Sequence, residues 1–407
     1  MTTDNRLLGA DFLRATACLG VLLHHLAFRM DMKAVPDAAE PVLRFLVYGS
    51  FGVTVFFVLS GFLLARPFWL ALDAGKPMPS LRTYALRRLA RIVPGFWLAL
   101  VVSLLLDLWL GGKVLDGERI IRFVAGLFLV SDWHWVTLFP VDNNGPLWSI
   151  GFEVTAYLLL PLGMAAVFAL KARQWPARLA WLAVIGAALI VHLLVVQFAP
   201  IDEVERGWSH GLVGGAKAWM PRFNPIGFFA IFAVGSLAAG IQVMIQKHRG
   251  IGMDVVGGLA VLATAIIMAV NIGGLTEGFG WLGIPYAFPI MPLAVGLALA
   301  TLPSSLYLGR VLDNALALFI ARISFGIYIW HFLIMWLIEK LVPGAFKTSG
   351  DEGWETWLQT SGLVLAATVI VATLSFYLLE QPVVRWARTL ERTGRRGDEP
   401  AGVRAVN

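Results

Sequence analysis

The sequence predicts an all-α integral membrane protein with ten membrane-crossing segments, and three observations carry that prediction. Apolar stretches of about 20 residues, the length at which a helix spans a hydrocarbon core, recur along the chain. Hydrophobic residues fill 58% of the 407 positions and charged residues 14%, whereas soluble domains hold close to half apolar and about a quarter charged. Basic residues gather in every second connection, the asymmetry that orients a protein in a bilayer.

The ten stretches lie near 7–28, 43–65, 92–110, 147–169, 178–198, 225–245, 253–271, 280–302, 315–338 and 361–381. A further apolar stretch around 120–130 is too short to cross, and is expected to lie on the membrane surface or to re-enter. The 66–91 connection holds Arg66, Lys76, Arg82, Arg87, Arg88 and Arg91 against Asp73 alone. Lys171, Arg173 and Arg178 follow in the next such connection, then Lys247 and Arg249, then Arg385, Arg388 and Arg392 toward the C-terminus. The intervening connections are mixed or acidic, with Asp31, Asp37 and Glu40, then Asp116, Glu118, Asp132 and Asp142, then Asp202, Glu203 and Glu205, and finally Asp351, Glu352 and Glu355. This alternation needs an even number of crossings and sets both termini in the cytoplasm. One transmembrane domain is expected over 1–389, followed by a polar cytoplasmic tail without fixed structure over 390–407.

The formal charge of +6 belongs to those loops. The partner it implies is the lipid bilayer, and no nucleic acid is expected. The single cysteine, Cys18, cannot form an intrachain disulfide. The first apolar stretch carries Arg14, His24 and His25 and has no small-residue cleavage site, so a cleavable signal peptide is not expected.

Titratable groups inside spanning helices cost at least ~2.5–3.5 kcal/mol each at the membrane centre, so each is a functional candidate. Arg14 and His25 share one face of the first helix, separated by about 16 Å of depth. Asp11, one turn earlier, can partner Arg14, which equally supports a structural salt bridge beside a satisfied histidine. Glu153 stands in an apolar run with Tyr157 one turn later, and His331 lies toward the non-cytoplasmic end of its helix. Arg87, Arg88 and Arg91 cluster at the cytoplasmic start of the third crossing, suited to the phosphates of an anionic ligand or to plain membrane anchoring. Ser60 and Gly61 are small residues that permit close helix packing, with Ser60 a further candidate for lining a site. Intramembrane His, Glu and Arg are also the parts of a proton relay, so a proton-coupled transporter or flippase is the rival reading.

In order along the chain, these residues resemble the motifs of the acyltransferase 3 family. The family's Arg-x10-His element corresponds to Arg14 and His25, and its Phe-Phe-x-Leu-Ser-Gly-Phe element to the segment around Ser60. Arg-x-x-Arg followed by Ile-x-Pro corresponds to Arg88 and Arg91, and Trp-Ser-x-x-x-Glu to Trp148, Ser149 and Glu153. Ser-x-x-x-Tyr-x-x-His corresponds to Ser324, Tyr328 and His331, and Glu-x-Pro to Glu380 and Pro382. The chain departs from the common pattern at WSIGFEVTAY, where Gly151 replaces a serine and Ala156 an aromatic residue, a change expected to affect the acceptor pocket. It also carries DFLRATA where DGLRAIA is commoner, and the esterase-like domain that some relatives append is not expected here.

The resemblance implies a membrane-bound O-acyltransferase of the plasma membrane, moving an acyl group, commonly acetyl, from cytoplasmic acyl-CoA to a hydroxyl of a carbohydrate or glycolipid. Acyl-CoA is then a co-substrate, with no tightly bound cofactor and no metal. His25 is implied as general base with Glu153 orienting it, or as the carrier of a covalent acyl intermediate. Arg88 and Arg91 are implied as ligands of the CoA phosphates. Arg14 contacts the donor or pairs with Asp11, and Ser60, Trp148, Ser149, Tyr157, Tyr328 and His331 support the site.

Overall fold

The computed structural model describes residues 6–199, 204–271, 274, 277–350 and 352–397, with side chains through Glu391. The described residues are helical, turn or irregular, with no β-strand among them. Fifteen α-helices follow in order. They are α1 (Ala10–Ala27), α2 (Glu40–Val47), α3 (Gly52–Asp73), α4 (Leu81–Trp109), α5 (Gly117–Leu127), α6 (Trp148–Ala169), α7 (Gln174–Phe198) and α8 (Gly211–Trp219). Then come α9 (Pro225–Ile245), α10 (Ile251–Val270), α11 (Ile290–Thr301), α12 (Leu308–Leu312), α13 (Ala315–Leu341), α14 (Gly353–Ser375) and α15 (Gln381–Gly397).

Eight helical stretches among the described residues are long and apolar enough to cross a membrane. Two expected crossings fall outside that set. α1 has only 18 residues, among them Asp11, Arg14, His24 and His25, which lower its apolar character. The segment expected from 280 holds one short 3-10 turn at Trp281–Gly283 and becomes α-helical only at Ile290. Pro285 and Pro289 each remove a backbone donor there, and the chain instead closes turns such as Tyr286 N–H to Glu277 O at 2.7 Å. α14 continues through a π turn at Phe376–Glu380 into α15, which runs past residue 389 into the expected tail. Residues 398–407 of that tail lie outside the described residues, as do Asp202, Glu203 and Asp351.

α9 lies at the centre, flanked by α3, α7 and α11, while α13 packs between α1 and α14. The α3–α9 contact is made by backbone. A Cβ on Gly61 would lie 2.0 Å from the Phe232 carbonyl oxygen, and one on Gly235 would lie 1.9 Å from that of Val58. Only glycine lets two helices approach so closely. α7 and α10 turn Leu179, Leu182, Ile190, Leu194, Val255, Leu259, Leu262 and Ile266 outward, as lipid-facing helices do.

Arg178 was expected to be a loop charge. It is instead fully buried and paired with Asp73, through two contacts of 2.7 Å, with a third 2.7 Å bond to Gly240 O. Its guanidinium also lies 4.4 Å from the Trp69 ring. The pair joins the end of α3 to the start of α7 and to α9, and so meets the requirement that a buried charge be matched.

The short apolar stretch near 120–130 forms α5, which exposes Ile120, Ile121 and Val124 and buries Arg122. That inverted pattern suits a helix lying at a lipid interface with its polar side inward. The chain then enters the protein: Ser131, Asp132, Leu138, Phe139, Val141, Asn143, Asn144 and Leu147 are all buried. Asn144 donates to Ile329 O of α13 at 2.9 Å, and Asn143 to Ser103 O of α4 at 2.9 Å.

Candidate functional site

α1 is held at both ends. Its first turn leaves N–H groups without intrahelical partners, and Asp313 accepts from Gly9 N at 3.0 Å and Phe12 N at 2.8 Å. Burial pushes the Asp313 carboxyl above its usual range, opposed by these N–H groups and by Arg6 at 3.1 Å. At the other end Trp357 Nε1 donates to Leu26 O at 2.8 Å, and His24 Nδ1 meets Val47 O. Arg14 and His25 are thereby fixed at different depths.

Arg14 opens on a cavity of about 980 Å³ between α1, α3, α4, α6, α13 and α15, at the upper end of small-molecule pocket sizes (~300–1,000 Å³). Seven arginines line it against two glutamates: Arg14, Arg87, Arg88, Arg91, Arg322, Arg385 and Arg388 against Glu153 and Glu391. Arg87 is held by Glu391 through two contacts of 2.7 Å, and Arg91 by buried Glu380 at 3.1 Å. Arg14 stands 4.0 Å from Asp11, whose closer partner is Arg6 at 3.2 Å. Among the described residues, Arg88, Arg385 and Arg388 have no carboxylate within ion-pair distance. A concave site with free guanidinium groups and a large positive excess selects a polyanion.

Ser60, Ser149, Glu153, Tyr157 and Tyr328 line the same cavity. Ser60 donates to Glu153 at 2.9 Å and Tyr157 donates to the same carboxylate. The Tyr328 hydroxyl lies 2.6 Å from Ser149 Oγ and 3.1 Å from Pro146 O.

His25 does not line this cavity, and its partners are not those expected. His25 and Glu153 are not hydrogen-bonded to each other; the Glu153 carboxylate accepts from Ser60 and Tyr157 on the wall of the arginine cavity. His25 faces His331, Nδ1 to Nε2 at 3.1 Å, with Val21 O 2.9 Å from the same Nδ1. His331 is fully buried, and its Nδ1 lies 3.0 Å from Ile327 O and 2.8 Å from Tyr328 O. Two carbonyl acceptors place the N–H on His331 Nδ1, leaving its Nε2 as an acceptor in the neutral ring. The shared proton therefore sits on His25 Nδ1, and this hydrogen-bond pattern assigns the unprotonated ring nitrogen of His25 to Nε2. The ring is boxed by His24 at 4.8 Å and Phe332 at 5.1 Å, both edge-on.

The structure thus brings Arg14, Ser60, Arg88, Arg91, Ser149, Glu153, Tyr157 and Tyr328 to one cavity. It places His25 and His331 together beyond it, joined to the cavity wall through Tyr328 one turn before His331. Trp148 is in an aromatic cluster with Phe152, Trp219, Phe223 and Phe228, ring centroids 5.2–5.6 Å apart, and acts as packing. Gly151 lines neither this cavity nor the other one described below. A Cβ there would meet Asp132 Oδ1 at 2.8 Å, so the departure from serine makes room for that carboxylate. Asp132 is fully buried and accepts from Thr155 Oγ1 at 2.8 Å, and burial pushes its carboxyl up to about 6.

Sequence reasoning did not single out Arg322, Arg385 and Arg388 as site residues. Arg322 was legible as a charge within an apolar run. The other two, spaced i, i+3 after Glu-x-Pro, were absorbed into the positive-inside pattern.

Comparison with known proteins identifies the family. A family model described as an acyltransferase domain matches residues 7–378. The acyltransferase MdmB of Streptomyces mycarofaciens is 26% identical over 382 residues, covering 92% of this chain and 90% of that one. The peptidoglycan O-acetyltransferase OatA of Listeria monocytogenes is 25% identical over 394 residues, and the O-acetyltransferase OatA of Staphylococcus aureus 24% over 396. The chain spans only 55% and 58% of the length of these two. No solved structure matches significantly. With the family model covering nearly the whole of a chain built from apolar helices, the protein is a multi-pass membrane protein of the acyltransferase 3 family.

Proposed function

We propose that the protein moves an acyl group, with acetyl as the expected case, from cytoplasmic acyl-CoA to a hydroxyl of a carbohydrate or glycolipid at the far side of the plasma membrane. The observation that carries this reading is the arginine cavity, whose wall reaches Tyr328, one turn from the His25–His331 pair. Relatives named as O-acetyltransferases support acetyl as the group and a glycan as the acceptor. In this reading α1 and the α11 segment cross together with the eight long apolar helices, and the loop charges set both termini in the cytoplasm.

In this reading acyl-CoA is a co-substrate. Arg88, Arg385 and Arg388 take its phosphates, with Arg14 deeper along the same cavity. A thioester is already activated, so the remaining task is to deprotonate the hydroxyl and assist the leaving group. The hydroxyl proton passes to His25 Nε2 as its oxygen forms a bond to the thioester carbonyl carbon. Collapse of the tetrahedral adduct breaks the C–S bond, and the departing thiolate takes the proton back from His25. His331 accepts the His25 Nδ1 hydrogen bond throughout, fixing the orientation and tautomer of the ring, the positioning part of the task that carboxylates perform in acid–histidine pairs. Glu153, held by Ser60 and Tyr157, shapes the inner cavity wall.

The test is thiol release from acetyl-CoA by purified protein, wild type against His25→Ala, with donor binding followed by protection against heating. The expected outcome is release lost in the variant with protection intact. Wild-type protein that neither releases thiol nor is protected by acetyl-CoA would overturn the reading.

A further inference from the structure

A second cavity, of about 640 Å³, lies between the end of α4, α5, α8 and the end of α13. It shares two of its walls with the arginine cavity. α4 gives Arg88 and Arg91 to the first and Asp107 to the second. At 1.5 Å per residue, Arg91 and Asp107 are about 24 Å apart along the axis. α13 repeats the arrangement, with Tyr328 on the first cavity and Trp336 and Lys340 on the second. His331 stands between them in register, about 4.5 Å from the level of Tyr328 and about 7.5 Å from that of Trp336. The His25–His331 pair therefore lies at a depth between two cavities.

The two cavities differ in charge. The first has seven arginines against two glutamates, the second five Lys or Arg against four Asp or Glu. Several charges of the second are also paired with one another. Arg122 Nη1 is 2.7 Å and Arg119 Nη2 3.2 Å from Asp142, whose own N–H donates to Asp107 at 2.9 Å. Such a wall has little net field but many fixed donors and acceptors, and Trp336 adds an apolar face. Sugar hydroxyls both donate and accept, so they satisfy carboxylates and guanidinium groups together. The C–H face of a sugar ring packs against an indole.

We propose that this second cavity binds the acceptor, as a neutral carbohydrate whose hydroxyl is presented toward His25. The proposal rests on the acyltransferase reading for its role, while the binding itself is testable separately.

The experiment uses the full-length purified protein and saturation-transfer NMR with three neutral trimers, chitotriose, maltotriose and xylotriose, and one anionic trimer, trigalacturonate. Two variants alter the cavity in opposite ways: Trp336→Ala removes the apolar face and Val213→Trp fills the space. At least one neutral trimer is expected to bind wild type, with its signal falling fivefold or more in both variants. Acetyl-CoA is expected to shift the unfolding midpoint of all three proteins equally. No neutral trimer giving a signal that depends on both sites would overturn the proposal, as would such a signal from trigalacturonate alone. Variants that lose the acetyl-CoA shift would also overturn it, because the cavity would then serve the donor or the fold. If acetyl-CoA fails to shift even the wild type, the acyltransferase reading fails, and the sugar signals still decide what the cavity binds.

Discussion

Arg88 and Arg91 stand three residues apart on α4 and face the same cavity, yet their surroundings give them different tasks. Arg91 neutralises Glu380, whose side chain is wholly buried, whereas Arg88 meets no carboxylate among the described residues. Removing Arg91 leaves an acid buried without its partner, a destabilising change. Removing Arg88 takes away only contacts to the ligand, and hydrogen bonds to charged groups are worth about 1.5–3 kcal/mol. Arg88→Ala is therefore expected to raise the KM for acetyl-CoA roughly 10–100-fold with an unchanged unfolding midpoint, while Arg91→Ala lowers that midpoint. Thiol-release kinetics beside thermal melts separate the two, and equal effects on both readouts would contradict the assignment. Sequence could name both arginines, because Arg-x-x-Arg is a local pattern. It could not divide their roles, since Glu380 comes from a turn 289 residues further on. The same reason applies at His25: an acid at similar depth suggests a partner, but depth says nothing of which helices are neighbours, and the hydrogen bond the structure shows is to His331.

Among the elements, α3 and α9 meet most intimately, and the contact depends on Gly61 and Gly235. Gly61→Ala places a methyl group 2.0 Å from the Phe232 carbonyl oxygen, which forces the helices apart. Overpacking of this kind costs about 1–3 kcal/mol, so a lower unfolding midpoint is expected. Because Ser60 adjoins Gly61 and donates to Glu153, weaker acetyl-CoA protection should accompany it. A variant with wild-type melting and protection would show that the contact has slack. The helices themselves were largely legible, since most are continuous apolar runs. α11 was misjudged because hydropathy does not register the prolines at 285 and 289. The inward path of residues 131–147 escaped notice because its short apolar pieces alternate with buried asparagines and acids. Those polar groups are tolerable only through partners on α4, α6 and α13.

For the molecule as a whole, the two cavities sit at opposite ends of α4 and α13 with the histidine pair between them. If that axis runs across the bilayer, exposed residues near each end must face different compartments. Lys76, in the connection before α4, and Lys113, on the second cavity, are both exposed. Single substitutions Lys76→Cys and Lys113→Cys, probed in sealed vesicles with an impermeant thiol reagent, are expected to label from opposite sides. The native Cys18 is 1% exposed and should stay silent. Labelling of both from one side would rule out the arrangement. Loop charge in the sequence predicts the orientation that this labelling tests. The existence of two cavities was not, because each is built from residues scattered over most of the chain.

The capping of α1 by Asp313 also bears on how the protein is made. Asp313 leaves the ribosome 304 residues after Gly9, about 15–60 s later at ~5–20 residues per second. His331, the partner of His25, follows later still, at a separation of 306 residues. Through that interval the first helix carries two histidines and an arginine without the Asp313 and His331 neighbours that later hold it. The contact between His25 and His331 therefore cannot form until most of the chain has been made, and a chain released before α13 lacks both the Asp313 cap and the His331 partner.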